Sequence, residues 1–158
     1  MKIRRALKSE ARLLSDLALR SKAHWGYAED VLEQWRTELT ISPHEISAHP
    51  TFVATIDEDV AGFYSLLPSA GPWAMNHFWV SPECMQRGVG RCLLAHALAI
   101  ARARGASKVD IDADPNAEGF YVRCGAFRTG EVSAPIPGQP ARVRPLLVIH
   151  TVVRLAKN

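Results

Sequence analysis

The sequence is short of cysteine, of long apolar runs and of blocks of one charge, and each shortage closes off a class of function. Three cysteines occur among 158 residues, Cys84, Cys92 and Cys124. They form no metal-spaced cluster, and an odd number suits free thiols in a reducing compartment better than a disulfide framework. A cytoplasmic protein is therefore expected. No apolar run is long enough to span a bilayer, and the opening "MKIRRALKSEARLL" is charged too often for a secretory leader. No membrane partner is expected. Lys and Arg number 19 against 16 Asp and Glu, a formal charge of +3. They are scattered without a dense basic block, which argues against nucleic acid as a partner. His44 and His49 flank a short loop with no Cys or Asp to complete a ligand set, and His150 stands in a strand-like run, so no metal is expected.

What is present fits one soluble globular domain over residues 1–158. Apolar residues make up 47% and charged residues 22%, a balance that supports a buried core without staples. There is no repeat, low-complexity segment or linker. The Pro/Gly-rich "SAPIPGQPARVRP" (133–145) lies too near the end to separate two domains, and it reads as a connection before a last strand.

Periodicity divides the chain as follows. "KIRRA" (2–6) reads as an opening strand. A helix follows over 8–25, with Leu13, Leu14, Leu17 and Ala18 at helical spacing and a cap region at Ser9 and Glu10. A second helix over about 28–39 carries the stripe Val31, Leu32, Trp35, Leu39, and "SPHEI" (42–46) suggests one short helical turn. "TFVATI" (51–56) and "VAGFYSLL" (60–67), joined by "DED", form a hairpin pattern, and "WAMNHFWV" (73–80) is a third strand. A long helix over 88–104 buries Val89, Leu93, Ala97 and Ile100 and ends at Gly105. Then come a strand (107–113), a short helix (116–125) and strands at 126–132 and 142–153. Strands 51–80 suit an antiparallel meander, and 73–113 suits a right-handed parallel crossover. The fold class is α/β (α+β): a mixed, mostly antiparallel twisted sheet of about seven strands flanked by about four helices.

"SPECMQRGVGRCLLAHAL" (81–98) interrupts this pattern with Gly88-Val89-Gly90 at a helix start, between Arg87 and Arg91. Free N–H groups and the helix dipole there make an anion site. The glycines let a ligand approach the backbone, and pyrophosphate fits such a geometry. The Lys of a Walker loop is missing, and Leu93 stands where a dinucleotide fingerprint needs its third Gly. On spacing alone, a phosphate cradle and a plain tight turn are equally good readings.

Downstream residues break this tie. Val80-Ser81-Pro82, then Gly88-Val89-Gly90, then Asn116 through Tyr121 to Gly125-Ala126-Phe127 together resemble the GCN5-related N-acetyltransferases, the GNAT superfamily. The resemblance is strong over residues 73–132, and the first 70 residues match in element order only. Met85 stands where that family prefers Gln or Arg, with Gln86 and Arg87 as neighbours.

The resemblance implies acetyl transfer from acetyl-CoA, used as co-substrate with no metal, to an amine on a small molecule or peptide, in a ternary complex. The amides of Gln86, Arg87, Gly88, Val89, Gly90 and Arg91 are expected to hold the pyrophosphate. Phe78, Trp79 and Val80 lie on the strand edge that would pair with the pantetheine arm, with an N–H near Val80 polarising the thioester carbonyl. Asn116 would bind the arm, and Tyr121 would protonate the leaving thiolate, unless it is simply a core aromatic. Relatives carry a Glu on the strand before V-x-P, but Ala74 occupies that place and 73–80 has no Asp or Glu. His77 is the candidate base; a histidine satisfied within the sheet, or a water chain, are the other readings. In "RSKAHWGYAED" (20–30), which the family uses to cover the acceptor, His24, Tyr27 and Glu29 are candidate substrate contacts, while Trp25 reads as structural. An acyl-cysteine route through Cys84 or Cys124 lacks an evident His partner. The alternative from another class is a non-catalytic acyl-CoA binding or sensing module on the same fold. Homodimers are common in the resembled family, and the 133–155 tail is where a dimer contact is allowed.

Overall fold

The computed structural model describes residues 1–152. Among these, seven strands and five α-helices follow one another: β1 (Lys2–Arg5), α1 (Ala11–Ala23), α2 (Glu29–Leu39), α3 (Pro43–Ala48), β2 (Thr51–Ile56), β3 (Asp59–Leu67), β4 (Trp73–Val80), α4 (Val89–Ala103), β5 (Lys108–Asp112), α5 (Glu118–Arg123), β6 (Phe127–Ser133) and β7 (Val143–His150). Short 3-10 turns at Lys8–Glu10, Pro82–Cys84 and Pro115–Ala117 precede α1, α4 and α5.

The strands form one mixed sheet in the order β1-β2-β3-β4-β5-β7-β6. β4 and β5 run parallel, while β1–β2, β2–β3, β5–β7 and β6–β7 are antiparallel. The mixed, mostly antiparallel α/β pattern read from the sequence is the one observed. The parallel register pairs Trp73 with Val109 and Ala74 with Asp110. It thus sits at the beginning of β4, which runs on to Val80.

Three local readings change. The helix number is five rather than about four. "SPHEI" closes a complete short helix because Ser42 and Glu45 form a reciprocal cap: the Ser42 hydroxyl accepts the Glu45 N–H at 3.1 Å and the Glu45 carboxylate accepts the Ser42 N–H at 2.7 Å. At α1 the cap is not Ser9. The Glu10 carboxylate reaches back to the Leu7 N–H at 2.8 Å and also takes Arg4. Finally, β7 stops at His150, and Val153, the last residue of the predicted strand, lies outside the described residues.

The chain packs as two compact units, Met1–Leu67 with Asn76–Leu94, and Pro68–Met75 with the chain from Ala95 on. In the first, Leu14, Leu17 and Ala18 of α1, Leu39 of α2 and Ile46 of α3 pack with Val53 and Phe63 of β2 and β3. These two strands turn through Asp57 and Glu58, both left-handed at φ 49° and 74°, the type I′ geometry that matches strand twist. Gly62, the residue before Phe63 on β3, faces the opposite side. There a Cβ would stand 2.7 Å from the Trp79 carbonyl oxygen, 3.0 Å from Leu93 Cδ1 and 3.3 Å from Val80 Cα. β3 thus carries helices α1–α3 on one face and the start of α4 on the other.

In the second unit Val109, Ile111, Leu147 and Ile149 are buried along β5 and β7, together with Ala97 and Ala101 of α4. The segment 133–145 is ordered. Ile136 and Gln139 bridge around Pro137-Gly138, and the Ala134 N–H donates to the Arg142 carbonyl at 3.0 Å.

The close approach at Gly62 has a measurable consequence. Gly62→Ala forces the end of β4 or Leu93 to move and should cost about 1–3 kcal/mol by urea unfolding. Gly71→Ala, whose nearest neighbour would be 4.0 Å away, should stay within about 0.5 kcal/mol of the parent.

Candidate active site

β4 ends in the tight turn that leads into α4. Ser81 is buried and its N–H donates to the Ala61 carbonyl at 2.8 Å, fixing the residue just after the strand to β3. Pro82 opens the 3-10 turn, where the fixed φ of proline and its missing N–H carry no penalty. Glu83 then braces it: one carboxylate oxygen accepts Arg20 of α1 at 2.9 Å and the other accepts the Ser81 hydroxyl. That hydroxyl, with Arg20 a lesser influence, holds Glu83 below the ordinary carboxylate range.

Beyond Met85 the backbone becomes left-handed twice, at Gln86 (φ 61°) and Gly88 (φ 82°). Gly88 accommodates this without cost, and a Cβ there would meet nothing within 4 Å, so the constraint is backbone conformation and not crowding. Gln86 has a side chain, and such residues are held left-handed mainly where a turn has a task. The Gly88 carbonyl accepts the Cys92 N–H at 3.1 Å, which makes it the first acceptor of α4. The first-turn N–H groups of α4 have no partner within the helix by geometry, and the helix dipole adds positive potential. Val89 is fully buried and anchors this end, whereas Gln86, Arg87 and Arg91 are exposed. The predicted cradle residues Gln86–Arg91 therefore lie together on one turn, and Phe78, Trp79 and Val80 lie on the strand that feeds it.

On β4, His77 is 7% exposed. Its ring lies 6.1 Å from that of Phe63, and its Nδ1 accepts the Trp79 indole N–H at 3.3 Å. Burial pushes its pKa below the ordinary 6.5, and the charge of Glu45 on α3 opposes that shift. An Nδ1 that accepts leaves the ring proton on Nε2. The histidine is neutral, and its lone pair is already engaged. Sequence reasoning missed Glu45 as its electrostatic neighbour. The S-x-x-E capping pattern was legible, but the reach from α3 to β4 is set by packing.

At the α1–α2 junction, Tyr27 packs edge-on against Trp35 with centroids 4.9 Å apart. The buried Lys22 places Nζ 4.4 Å from the Trp35 ring centroid and 5.2 Å from that of Tyr27, an internal cation–π arrangement. His24 and the exposed Trp25 meet edge-on at 5.2 Å. Glu29 begins α2, where negative charge suits the helix dipole.

In the second unit, the Asp114 carboxylate accepts both the Asn116 N–H (2.8 Å) and its Nδ2 (2.9 Å), shaping the turn ahead of α5. Tyr121 is buried on α5, in edge contact with Phe120. Burial, with a smaller push from Cys124, raises its phenol well above the ordinary value, so it stays protonated at neutral pH. The two second-unit candidates share the segment 115–123. Among the described residues, no group of three or more His, Cys, Asp or Glu is placed to hold a metal, and no helix is long and apolar enough to cross a membrane.

Comparison with known proteins adds the following. The model of the acetyltransferase (GNAT) family matches residues 15–126. Similar folds include the PaiA N-acetyltransferase of Thermoplasma acidophilum in complex with coenzyme A, with TM-score 0.77 and 19% identity over 94% of this chain and 98% of that one. An aminoglycoside 6′-N-acetyltransferase complexed with coenzyme A gives TM-score 0.68 and 16% identity over 98% and 99% of the two chains. The ribosomal-protein-S18-alanine N-acetyltransferase of Escherichia coli gives 0.71 and 13% over 95% and 93%. The search of curated proteins found no match.

The lowered pKa of His77 makes stability depend on pH. Below the ordinary value of 6.5 the unfolded chain binds a proton that the folded chain resists. Stability should therefore fall as pH drops through about 6.5 and level off at the lower folded pKa. His77→Gln should remove that part of the slope in urea midpoints taken between about pH 7.5 and 5.

Proposed function

The chain belongs to the acetyltransferase (GNAT) family, and on that premise we propose that residues 1–158 form one domain that passes an acetyl group from acetyl-CoA directly to an amine in a ternary complex. The observation that carries this reading is the turn from Met85 to Arg91, with its two left-handed residues, the uncommitted first-turn amides of α4 and two flanking arginines. It is suited to the pyrophosphate of CoA. Met85 is no obstacle there, because backbone N–H groups do the binding and the left-handed Gln86 aims them.

The proton and electron balance is as follows. The neutral amine nitrogen attacks the thioester carbonyl carbon, whose oxygen is polarised by a backbone N–H near Val80. The carbon–sulfur bond breaks as the new C–N bond is kept. The departing thiolate takes the Tyr121 phenol proton, and Asn116 holds the cofactor arm. The nitrogen's extra proton leaves to His77 or through water, and an equivalent proton returns through water to the Tyr121 phenolate. The His77 route requires the Trp79 indole to give up Nδ1, because that is the lone pair a proton would need. His24, Tyr27 and Glu29 face the question of acceptor choice. Tyr27 is already engaged with Trp35 and Lys22, so His24 and Glu29 are the freer of the three to meet an amine on a small molecule or peptide. Free thiols at Cys84, Cys92 and Cys124 suit a cytoplasmic setting.

Tyr121→Phe keeps the ring and removes the acid. It should lower kcat by about 10²–10⁴-fold while CoA binding, read by calorimetry, changes little. Released CoA measured across an amine panel provides the assay. Unchanged turnover in Tyr121→Phe would remove the phenol from the mechanism. CoA binding with no transfer to any amine would point to a binding module.

A further inference from the structure

Arg142 stands just before β7 and is buried, and the reaction as proposed gives it no part. It is 8% exposed overall, and its side chain and that of Asp114 are 4% and 7% exposed. Its Nη2 lies 3.8 Å from Asp114 Oδ2, and its Nη1 donates to the Ala134 carbonyl at 3.0 Å. Asp114 Oδ1, the other oxygen of the same carboxylate, is the acceptor that takes both the backbone N–H and the Nδ2 of Asn116. One guanidinium thus spans two elements. It closes the base of the 134–142 arm, where the Ala134 N–H also meets the Arg142 carbonyl, and it balances the charge of the residue that orients Asn116.

We propose that Arg142 is a positioning residue for the cofactor. Through Asp114 it fixes the Asn116 side chain, and through Ala134 it ties the 133–142 arm to the same turn. This rests on the reading that Asn116 contacts the cofactor arm. The physical reason is the burial of the carboxylate. An ionised Asp114 shielded from water needs a cation beside it. Without Arg142 the carboxylate turns toward water, which carries the doubly accepting oxygen away from Asn116. The planar fork of arginine reaches the carbonyl and the carboxylate from two separate nitrogens, whereas a lysine would have to serve both from one.

The test is a double-mutant cycle on CoA affinity, measured by calorimetry with Arg142→Met, Asn116→Ala and the pair. Asn116→Ala should weaken binding by up to about tenfold, the worth of one net hydrogen bond. Arg142→Met should weaken it by a similar factor, about 3–10-fold, and the pair should bind no worse than Asn116→Ala alone. A merely structural loss at Arg142 would instead multiply with the Asn116 effect and overturn the proposal. Arg142→Lys, which keeps the charge, should fall between wild type and Met, and a Lys variant no better than Met contradicts the electrostatic step. If Arg142→Met does not fold, Asp114→Ala takes its place in the cycle: it removes the acceptor that orients Asn116, so it should weaken CoA binding by a similar factor and add nothing to Asn116→Ala, and a loss that multiplies overturns the proposal. A wild-type protein that binds no CoA overturns the functional reading itself, whereas CoA binding with multiplying effects overturns only the role of Arg142.

Discussion

Everything around the candidate site depends on how closely β3 lets the end of β4 approach. At Gly62 the Trp79 carbonyl, the Val80 Cα and the Leu93 side chain crowd into a space that admits hydrogen and no methyl group. Interiors are packed so tightly that one carbon is felt. The contact fixes the last residues of a strand and the second turn of a helix against the same backbone atom. The eight residues between strand and helix, 81–88, must then turn within a set distance. They do so with a 3-10 turn, two left-handed residues and a helix start. The exposed arginines and amides of the turn can be polar and unprotected because Val89 and Leu93 hold the helix from inside.

A second constraint is electrostatic. Two titratable side chains, His77 on β4 and Tyr121 on α5, are both buried, and burial disfavours the charged form of each. The histidine is pushed down and the phenol up. Both are therefore neutral at pH 7, by opposite shifts from one cause. The consequences differ. The phenol holds its proton at neutral pH, and its upward shift makes it a weaker acid than a free tyrosine. A neutral imidazole whose acceptor nitrogen is already taken by Trp79 is not ready to accept.

Much of the fold was legible in the sequence because its elements follow simple periods. The 73–80 strand has the bounds its pattern suggests, and α4 matches to within a residue at each end. Its buried face includes Leu94 and Ala101 beyond the predicted stripe, and Ile100 is only half-buried. The turn was half legible: glycines and arginines could be seen, but the left-handed Gln86 could not, since no propensity marks it. Least legible were the partners that packing supplies. Glu45 reaches the field of His77 from α3, and Arg142 reaches Asp114 from the far side of a hairpin arm. Both pairs join residues 28 or more positions apart, beyond any local pattern. Lys22 shows the opposite lesson. Its cation–π seat joins Tyr27 and Trp35, 5 and 13 positions further along the chain, yet no charge or apolar period marks it.

The missing carboxylate on β4 bears on how acetyl transfer is accomplished here. A base on the strand would help only by raising the fraction of amine in its neutral form or by taking a proton as the C–N bond forms. General-base catalysis of that kind contributes about 10²–10⁴-fold. Holding amine and thioester in line is worth more, as effective molarities of about 10⁵–10⁸ M for well-placed partners indicate. Under the proposed reading, a strand end that positions the acyl carbon and offers a backbone N–H to its oxygen supplies the larger part. The proton on nitrogen can then leave after attack, when the nitrogen of the tetrahedral adduct has become a far stronger acid than the free ammonium. On this argument the strand needs no carboxylate. What it does need is to end in a fixed place, and Gly62 is what fixes that place.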